Sequence, residues 1–509
     1  MILVLLYVCL FSGLGALGLV GPDEPRYAAI ARAMADTHDW ITPRLWGTPW
    51  FEKPVLYYWT AGVAMRIFGV SEFAARLPSA LAALLAVVAV AWTALRSYGL
   101  GVAWYSLLML PTCVAMVGFS RAASPDMLFA GLLTAAMAVA SEMLQKPKPG
   151  PWLRIAFGFF LGAAVLAKGP AAVILAGGAT LLWAAMTRQW QAPFRFLHPL
   201  VIAVFCATAL PWYVLCALRN RDFLRVFIWQ HNFERYLTPI FEHRQPFYYY
   251  GYVLLLAAIP WVLLLFEIAA ALFKRIQAKR TPESIDIFLA SWAVFPVVFF
   301  SVSQSKLPGY ILPAIPPLFI LLARSIAARI GSNSNAVRLR LGGTGVLLLI
   351  AAVPLHAALR AGTFPPGYLP VLITVFLAGI VTTVLAFMSR PAAAIMSLAL
   401  FVAAGIIVAN FTVLPDLDSQ ISSRSLAKIL AQKGISAENL SVHELPRAWK
   451  YGLDYYFNRD LPEWAPRTSE PRWILSWSGI DPESQRQYKL DDIEMPDTNT
   501  RTVFLYRRQ

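Results

Sequence analysis

Long stretches without a charged residue recur along the whole chain and limit the folds open to it. Charged residues make up only 14% of the 509 positions, against 58% hydrophobic residues. A helix needs about 20 mainly apolar residues to cross a bilayer, and repeated segments of that length are typical of membrane proteins. The chain is therefore predicted to be a polytopic α-helical membrane protein. Its four cysteines lie in or beside apolar runs without metal-like spacing, which predicts core packing for Cys9, Cys113, Cys206 and Cys216.

The apolar runs predict about 13 transmembrane helices. They lie near residues 1–20, 78–95, 100–118, 127–144, 155–167, 171–186, 200–218, 251–273, 285–303, 310–328, 341–359, 368–388 and 392–411. The first run is interpreted as a retained helix and not as a signal peptide, because it has no basic leader and no small-residue cleavage site. The two short runs at 155–186 are open to a second interpretation, a re-entrant pair.

The charges of the connecting loops predict the orientation. One alternating set of loops is basic and contains, among others, Arg96, Lys146, Lys148, Arg154, Arg188, Arg195, Lys274, Arg275, Arg324, Arg338 and Arg390. The opposite set holds the carboxylates Asp23, Glu24, Glu52, Asp126 and Glu234. Basic loops stay in the cytoplasm, so the N-terminus is predicted inside and, with an odd number of helices, the C-terminus outside. Topology thus accounts for the net charge of +15, and nucleic acid is not expected as a partner.

The composition changes near the C-terminus and predicts two domains. Residues 1–415 form a transmembrane domain with juxtamembrane helices at about 22–76, and residues 416–509 form a small extracytoplasmic α/β domain. In the second domain, the pattern predicts a helix over 423–432 and short strands at 440–443, 473–476 and 502–506.

Residues 21–53 are the most polar part of an otherwise apolar chain, and they directly follow its first apolar run. Asp23 and Glu24 come immediately after this predicted membrane exit. The segments 26–36 and 51–68 then have the pattern of interfacial helices. A solvated surface charge is the alternative interpretation for any single carboxylate here.

Further polar residues follow at later exits on the same side. Asp126 ends the sequence SRAASPD, Lys168 interrupts an apolar stretch, and Tyr310 lies in SKLPGYILP. Basic residues that converge from several loops suit an anionic group such as a phosphate, and nearby carboxylates suit a base or a metal ion. For Lys168, the alternative is a lysine that extends its ammonium to the interface from near a helix end.

Several motifs, in order, carry a family resemblance over essentially the whole chain. They are DEPRY at 23–27, DWITPRLWGTPWFEKPVLYYW at 39–59, NFERY at 232–236, HRQPFYYY at 243–250, SKLPGYILPAIPP at 305–317 and WKYGLDYYFNRDLP at 449–462. The sequence resembles the bacterial ArnT-like glycosyltransferases, relatives of the protein O-mannosyltransferases within the GT-C superfamily. Val55 departs from the family pattern, which commonly has a second proline there.

The resemblance implies a GT-C fold, a polyprenyl-phosphate-linked sugar donor and an active site at the outer membrane face. It implies that Asp23 is the central catalytic carboxylate and that Asp126 is a second acidic residue of the site. Glu24, beside Asp23 after the predicted membrane exit, is a further catalytic candidate. The resemblance implies donor-phosphate contacts by Lys53 and Arg235 and further donor-site positions for Lys168 and Tyr310. Arg26, within DEPRY, is a further candidate for the phosphate-binding set. The resemblance also implies a divalent metal ion, zinc-like, on Glu52 and a histidine, either His231 or His243.

The function predicted from these features is glycosyl transfer to lipid A or another cell-envelope glycan, in the bacterial inner membrane with the active site on the periplasmic side. The acceptor and the sugar stay open, and a protein acceptor is a further alternative. A solute transporter or flippase is the main rival, but transporters place functional charges near the bilayer midplane and not at helix ends. A non-catalytic assembly protein would not need acids and bases together at several exits.

Overall fold

The computed structural model describes residues 1–234, 245–277, 282–332, 335–361, 366–465, 471–481, 484–491 and 503–509. Contacts within the chain divide it into two compact units. The helical unit consists of Met1–Ser12, Phe51–Tyr57 and Leu77–Val408. The C-terminal unit consists of Gly13–Trp50, Tyr58–Arg76 and Ala409–Gln509. This division differs from the domains predicted above, since two parts of the first loop group with the C-terminal residues.

The helical unit is built almost entirely from α-helices. The α-helices that lie in it or enter it are Ile2–Leu10, Glu72–Tyr98, Leu100–Met109, Val114–Ser120, Pro125–Gln145, Pro151–Lys168, Ala171–Thr187, Pro199–Arg219, Tyr249–Ala257, Phe266–Gln277, Ser284–Val302, Ile315–Gly331, Asn335–Arg360, Leu369–Phe387 and Pro391–Thr412. Short 3-10 helices occur at Ala192–Leu197, Val262–Leu265, Pro308–Ala314 and Pro366–Tyr368, and a π-helix at Arg225–Glu234. This architecture is that of a multi-pass membrane protein, as predicted.

Nine helices in the described part of the chain are long and apolar enough to cross a membrane. The number rises to eleven if each of two bent pairs is one span, namely Leu100–Met109 with Val114–Ser120 and Tyr249–Ala257 with Val262–Arg275. Of the 13 predicted runs, the two others correspond to the apolar helix Ala171–Thr187 and to the short helix Ile2–Leu10. Helices therefore lie at every predicted run, although length and composition qualify fewer of them as spans.

The first apolar run forms a helix of nine residues, Ile2–Leu10, and not one helix over residues 1–20. The Arg121 guanidinium donates hydrogen bonds to the carbonyl oxygens of Val8 at 3.0 Å, of Cys9, and of Ser12 at 3.1 Å. A helix that continued past Leu10 would use the first two of these carbonyls for its own N–H groups. The side chain of Arg121 takes their place and caps the helix.

The helix Pro125–Gln145 is central to the helical unit, since every residue from Met127 to Leu144 is buried. It approaches its neighbour Glu72–Tyr98 closely at Gly131. A β-carbon there would lie 2.3 Å from the carbonyl oxygen of Ala82, so only glycine fits. Small residues at such contacts are typical of helix packing in membranes. This packing fixes the helix that carries Asp126 in its first turn.

The C-terminal unit combines helices with a mixed sheet. Its helices are Asp23–Thr37, most of Leu56–Phe68, Leu414–Ile421, Arg424–Gln432 and Arg447–Phe457. A two-stranded antiparallel ribbon is formed by β1 (Arg44–Leu45) and β2 (Thr48–Pro49), and a four-stranded sheet by β3 (Leu440–His443), β4 (Trp473–Ser476), β5 (Tyr488–Asp491) and β6 (Phe504–Arg508). The order in the larger sheet is β3-β4-β6-β5, with β3 parallel to β4 and the other pairs antiparallel.

Apolar side chains from both helices and strands form the core of this unit, among them Leu426, Leu430, Leu440, Leu453, Leu475 and Leu505. The strands β3 and β4 and the helix Arg424–Gln432 lie where the sequence predicts them. The last strand begins two residues later than predicted, at Phe504, and residue 502 is outside the described residues. The strand β5 and the helix Arg447–Phe457 were not predicted.

Helices also lie in the two polar segments of the first loop, at Asp23–Thr37 and Leu56–Phe68. The second begins five residues later than predicted, because Pro54 lacks an N–H group and disfavours helical backbone at the residue before it. Three of the four cysteines, Cys9, Cys113 and Cys216, are buried, and Cys206 is half-buried.

Candidate active site

Asp126 lies at the start of the central helix of the helical unit. The side chain of Ser124 accepts a hydrogen bond from the Asp126 N–H group at 3.3 Å, and Pro125 occupies the first helical position. Serine before proline is a typical beginning of a helix. The positive end of the helix dipole favours a carboxylate in this first turn.

Lys168 is the last residue of the neighbouring helix Pro151–Lys168, which ends at Gly169 with a φ of 91°. Its Nζ lies 2.5 Å from Oδ1 of Asp126. The side chain of Lys168 is 12% exposed and that of Asp126 is 24% exposed. The ammonium of Lys168 therefore has a specific anionic partner. This contact argues against the alternative, in which the lysine only extends to the membrane interface.

Tyr310 completes this group. Its ring centre lies 4.8 Å from Nζ of Lys168, a distance at which the ring face attracts a cation. The preceding Gly309 adjoins Asp126, since a β-carbon on Gly309 would lie 2.6 Å from Oδ2 of the carboxylate. Both residues belong to the 3-10 helix Pro308–Ala314. Three motifs that are far apart in sequence thus meet at Asp126, Lys168 and Tyr310.

Glu52 and Lys53 form a second charged pair in the helical unit. Nζ of Lys53 lies 3.1 Å from Oε1 of Glu52, and the two side chains are 16% and 11% exposed, respectively. The preceding Phe51 packs edge-on against Phe223 at 5.3 Å between ring centres. This contact joins the pair to the segment just before the π-helix Arg225–Glu234, a type of helix that often marks functional sites.

The predicted metal ligands are only partly described. His231 lies within the π-helix, but its side chain is outside the described residues, as are Arg235 and His243. Among the residues that the structure describes, no three histidine, cysteine, aspartate or glutamate side chains come close enough together to hold a metal ion. Glu52 by itself does not make a metal site, and the metal ion stays a prediction.

Asp23 and Arg26 lie in the C-terminal unit, in the first turn of the helix Asp23–Thr37. Nη2 of Arg26 lies 2.5 Å from Oδ1 of Asp23. The aspartate side chain is 56% exposed, whereas that of the arginine is 8% exposed. Aromatic rings surround the buried guanidinium, with Trp50 at 5.3 Å and Tyr451 at 5.8 Å. The buried guanidinium of Arg26, which is packed against aromatic rings, therefore binds the exposed carboxylate of Asp23.

Glu24 has a different environment from Asp23. It is 6% exposed, and its two carboxylate oxygens accept hydrogen bonds from Arg76, at 3.2 Å from Nε and 2.7 Å from Nη2. It also accepts a hydrogen bond from the N–H group of Val20 at 2.8 Å. These hydrogen bonds give the buried Glu24 carboxylate a structural role, and they distinguish it from the exposed carboxylate of Asp23.

Sequence reasoning did not identify two arginines whose side chains bind backbone carbonyl oxygens. Arg76 is 2% exposed and pairs with Glu24, and Arg121 caps the first helix. Each lies beside an apolar run, as Lys168 does. An unpaired charge is costly at such a place, so these two arginines could have been selected for the same reason as Lys168. Lys306 has a similar role, since its Nζ donates hydrogen bonds to the carbonyl oxygens of Ser303 at 2.6 Å and Gln245 at 3.0 Å.

Chemically, the described residues offer two kinds of group. Asp23 is an accessible carboxylate that can orient a polar ligand or accept a proton. Lys53 pairs with Glu52 and Lys168 pairs with Asp126, and both lysine side chains are partly exposed, so they can bind an anion as well. An anion at such a site gains from a pre-arranged charge that needs little reorganisation.

Comparison with known proteins gives these groups a context. Residues 3–227 match the family model of dolichyl-phosphate-mannose-protein mannosyltransferase. The chain is 33% identical over 342 residues to an undecaprenyl phosphate-alpha-4-amino-4-deoxy-L-arabinose arabinosyl transferase from Edwardsiella ictaluri, which covers 65% of this chain and 61% of that protein. A protein of the same name from an Enterobacter species is 34% identical over 308 residues, or 60% of this chain and 54% of that one. The chain thus spans about three fifths of the length of these relatives.

The fold has a counterpart over its whole length. The crystal structure of ArnT from Cupriavidus metallidurans bound to undecaprenyl phosphate superposes with a TM-score of 0.80, covering 99% of this chain and 97% of that one at 24% sequence identity. The same protein in the apo state gives a TM-score of 0.78 at 22% identity. The chain therefore has the fold of ArnT, and its sequence is similar to those of the arabinosyl transferases above.

Proposed function

We propose that this chain is an integral-membrane glycosyltransferase that moves a sugar from a polyprenyl-phosphate donor to lipid A or another cell-envelope glycan. The observation that carries the proposal is the group formed by Asp126, Lys168 and Tyr310, in which a cation and a carboxylate meet at the ends of two membrane-type helices. The relatives named as undecaprenyl-phosphate-dependent arabinosyl transferases support the same reaction class.

Departure of the lipid phosphate is the step for which the chain needs cations. The bond between the anomeric carbon and the phosphate oxygen breaks, and its electron pair stays on that oxygen as negative charge. In the proposed reaction, Lys168 and Lys53 stabilise this charge, and the predicted Arg235 would add a third cation. The carboxylate and the ring beside Lys168 keep its ammonium fixed before the donor binds, so the charge is pre-arranged for the transition state.

Attack by the acceptor is the second part of the proposed reaction, and we assign the carboxylate of this step to Asp23. An oxygen of the acceptor forms the new bond to the anomeric carbon from the face opposite the leaving phosphate. If that oxygen is a hydroxyl, Asp23 takes its proton, and if it is a phosphate oxygen, no strong base is needed and Asp23 orients the acceptor. The exposure of Asp23 and its contact with Arg26 suit either role, because the carboxylate is accessible and held in place.

The proposed active face is the periplasmic side of the inner membrane. Asp126 lies in the first turn of its helix and Lys168 ends the next helix, so both lie at one end of this helix pair. At the other end of the same first helix, Glu142 pairs with Arg96 at 3.0 Å and with Lys146 at 2.8 Å, and Lys146 begins a basic loop. The positive-inside rule assigns that end to the cytoplasm and Asp126 to the opposite face. A lipid-linked donor suits this face, since nucleotide sugars are confined to the cytoplasm.

A divalent metal ion on Glu52 and on His231 or His243 is part of the proposal. When bound, such an ion would add positive charge near the donor phosphate. Metal analysis of the purified protein tests it without any activity measurement: we expect about one ion per chain in the wild type and much less in Glu52→Gln. An equal metal content in the two proteins would exclude Glu52 as a ligand.

Reconstitution separates the proposed function from its main rival, a transporter or flippase. The purified chain in lipid nanodiscs is given an undecaprenyl-phosphate-linked sugar and lipid A, and the acceptor is analysed by mass spectrometry. We expect the acceptor to gain the mass of one sugar residue. Movement of the lipid-linked sugar across sealed vesicles without any covalent product would instead support the transporter. Lipid analysis of a deletion strain identifies the natural acceptor.

A further inference from the structure

Residues 14–20 connect the first helix to the helix of Asp23, and side chains hold their backbone in place. The guanidinium of Arg76 donates three hydrogen bonds to this segment. Its Nη1 binds the carbonyl oxygens of Leu14 at 2.8 Å and Leu17 at 2.5 Å, and its Nη2 binds that of Gly18 at 2.7 Å. Charged donors make stronger hydrogen bonds than neutral ones, so this side chain restrains three carbonyls at once.

Arg424 binds the two carbonyl oxygens between those that Arg76 binds. Its Nη1 donates to Gly15 at 3.0 Å and its Nη2 to Ala16 at 2.8 Å. The two arginines together therefore bind five consecutive carbonyl oxygens, those of residues 14–18. Arg76 belongs to the end of the first loop and Arg424 to the C-terminal residues, and both lie in the C-terminal unit.

The N–H groups of the same segment are also bound by side chains. Gly18 donates to Oδ1 of Asp418 at 2.7 Å, and Leu19 donates to the hydroxyl of Tyr456 at 3.0 Å. A β-carbon on Gly18 would lie 2.0 Å from Oγ of Ser422, so a residue with a side chain does not fit at this close approach. The backbone of residues 14–20 is thus fixed by side chains in place of regular secondary structure.

Carboxylates hold the side chains that bind the segment. Oδ2 of Asp418 lies 2.7 Å from Arg424, and Oε1 of Glu72 lies 3.3 Å from the same guanidinium. The hydroxyl of Tyr456 donates to Glu72 at 2.9 Å. Burial, with a smaller effect of the Glu72 carboxylate, raises the pKa of Tyr456, so its hydroxyl keeps the proton that this hydrogen bond requires.

We propose that Arg76, Arg424 and Tyr456 are positioning residues, which fix residues 14–20 and thereby set the position of the catalytic carboxylate of Asp23. The inference rests on the proposed function. The helix of Asp23 begins three residues after Val20, and Glu24 in its first turn binds both the Val20 N–H group and Arg76. A displacement of about 1 Å at a reacting group can lower a rate by about 100-fold.

Arg424→Gln is the first test, in the purified full-length chain with an undecaprenyl-phosphate-linked sugar and lipid A. We expect kcat to fall by roughly ten- to a hundredfold, while KM for the donor changes by less than about twofold. Arg459→Gln is the matched control, because Arg459 lies in the same unit and its ion pair with Glu438, at 3.8 Å, does not involve residues 14–20. Equal activity of the two variants would overturn the proposal.

Tyr456→Phe is the second test, since it removes one hydroxyl and keeps the packing of the ring. Hydrogen exchange at the N–H group of Leu19 should become faster, exchange in the strands β3 and β4 should not change, and kcat should fall with little change in KM. These measurements on Tyr456→Phe test the proposal even if Arg424→Gln does not fold. Faster exchange at Leu19 with wild-type kcat would overturn the proposal.

The same measurements separate this inference from the function on which it rests. A wild-type chain that transfers no sugar would contradict the proposed function. Faster exchange at Leu19 in Tyr456→Phe would then still support the role of these side chains in holding residues 14–20. Unchanged exchange at Leu19 would contradict that role, whatever the activity.

Discussion

Lys168 and Asp126 form an ion pair of 2.5 Å although 42 positions separate them in the sequence. Each ends or begins a long apolar helix, and each would be costly as an isolated charge at that place. The pair therefore satisfies the fold and at the same time presents a cation that a phosphate can share. The first prediction separates these two roles.

Lys168→Ala should lower sugar transfer by about 100-fold or more, because the leaving phosphate loses a fixed counter-charge. Lys146→Ala is the control, since Lys146 also pairs with a glutamate near a helix end, Glu142 at 2.8 Å. Donor-lipid binding, transfer rate and thermal unfolding are measured for both. Mild and equal losses of activity in the two variants would remove Lys168 from the active site.

Asp23→Asn should lower transfer by about 100-fold or more and leave membrane insertion intact, because the amide neither accepts a proton nor carries charge. Asp36→Asn is the matched control: Asp36 lies in the same helix, is 55% exposed and pairs with Arg32 at 3.7 Å, and Asp23 is 56% exposed. A surface change of this kind costs at most about 0.5 kcal/mol. Near-normal turnover of purified Asp23→Asn would reduce Asp23 to an ordinary surface carboxylate.

A reporter fused after Gln509 should be active only if it works outside the cytoplasm. The expectation follows from the basic loops, which the positive-inside rule assigns to the cytoplasm. A second reporter fused after Lys146, in one of those loops, should give the opposite signal. A cytoplasmic signal at the C-terminus would reverse the proposed orientation and the proposed active face with it.

The free energy of unfolding should depend on pH through Asp454. Burial raises the pKa of this carboxyl group to about 6, even though Lys450 opposes the shift. The folded chain therefore binds the proton more tightly than the unfolded chain, whose aspartate titrates near 3.8. Between these two pKa values the folded state holds more protons, so stability falls as the pH rises, by at most about 3 kcal/mol.

Thermal unfolding of the wild type and of Asp454→Asn from pH 4 to pH 7 checks this expectation. The difference between the two isolates the group, since all other titrating residues are shared. The variant should lack the decrease in stability over this range, and its amide can still accept the Leu461 N–H group that Oδ1 binds at 3.0 Å. Parallel curves for the two proteins would contradict the raised pKa.

The long helices of the helical unit could be located from the sequence because hydrophobic length is a local signal. The first run was the exception, since its helix ends at Leu10 where Arg121 binds the free carbonyls, and this contact joins residues more than 100 positions apart. The strands β3 and β4 were located for a similar local reason, namely short apolar runs bounded by turn residues. The strand β5 begins with Tyr488 and has charged residues at two of its four positions, which masks that pattern.

The candidate site was predictable only as a set of residue types on one side of the membrane. Charge beside an apolar run identified Asp126 and Lys168, but no local signal tells which carboxylate pairs with which cation. Glu24 and Asp23 are adjacent in sequence and equal in chemistry, yet one is buried against Arg76 and the other is exposed. Only the tertiary structure separates the two.

The arginines that bind residues 14–18 also impose an order of events on biosynthesis. Gly15 and Arg424 are 409 positions apart, so the ribosome makes one of these partners long before the other. At about 5–20 residues per second, the interval is on the order of half a minute. During that time residues 14–20 lack the side chains of Arg424, Asp418 and Tyr456, so their backbone reaches its folded arrangement only after these residues have been synthesised.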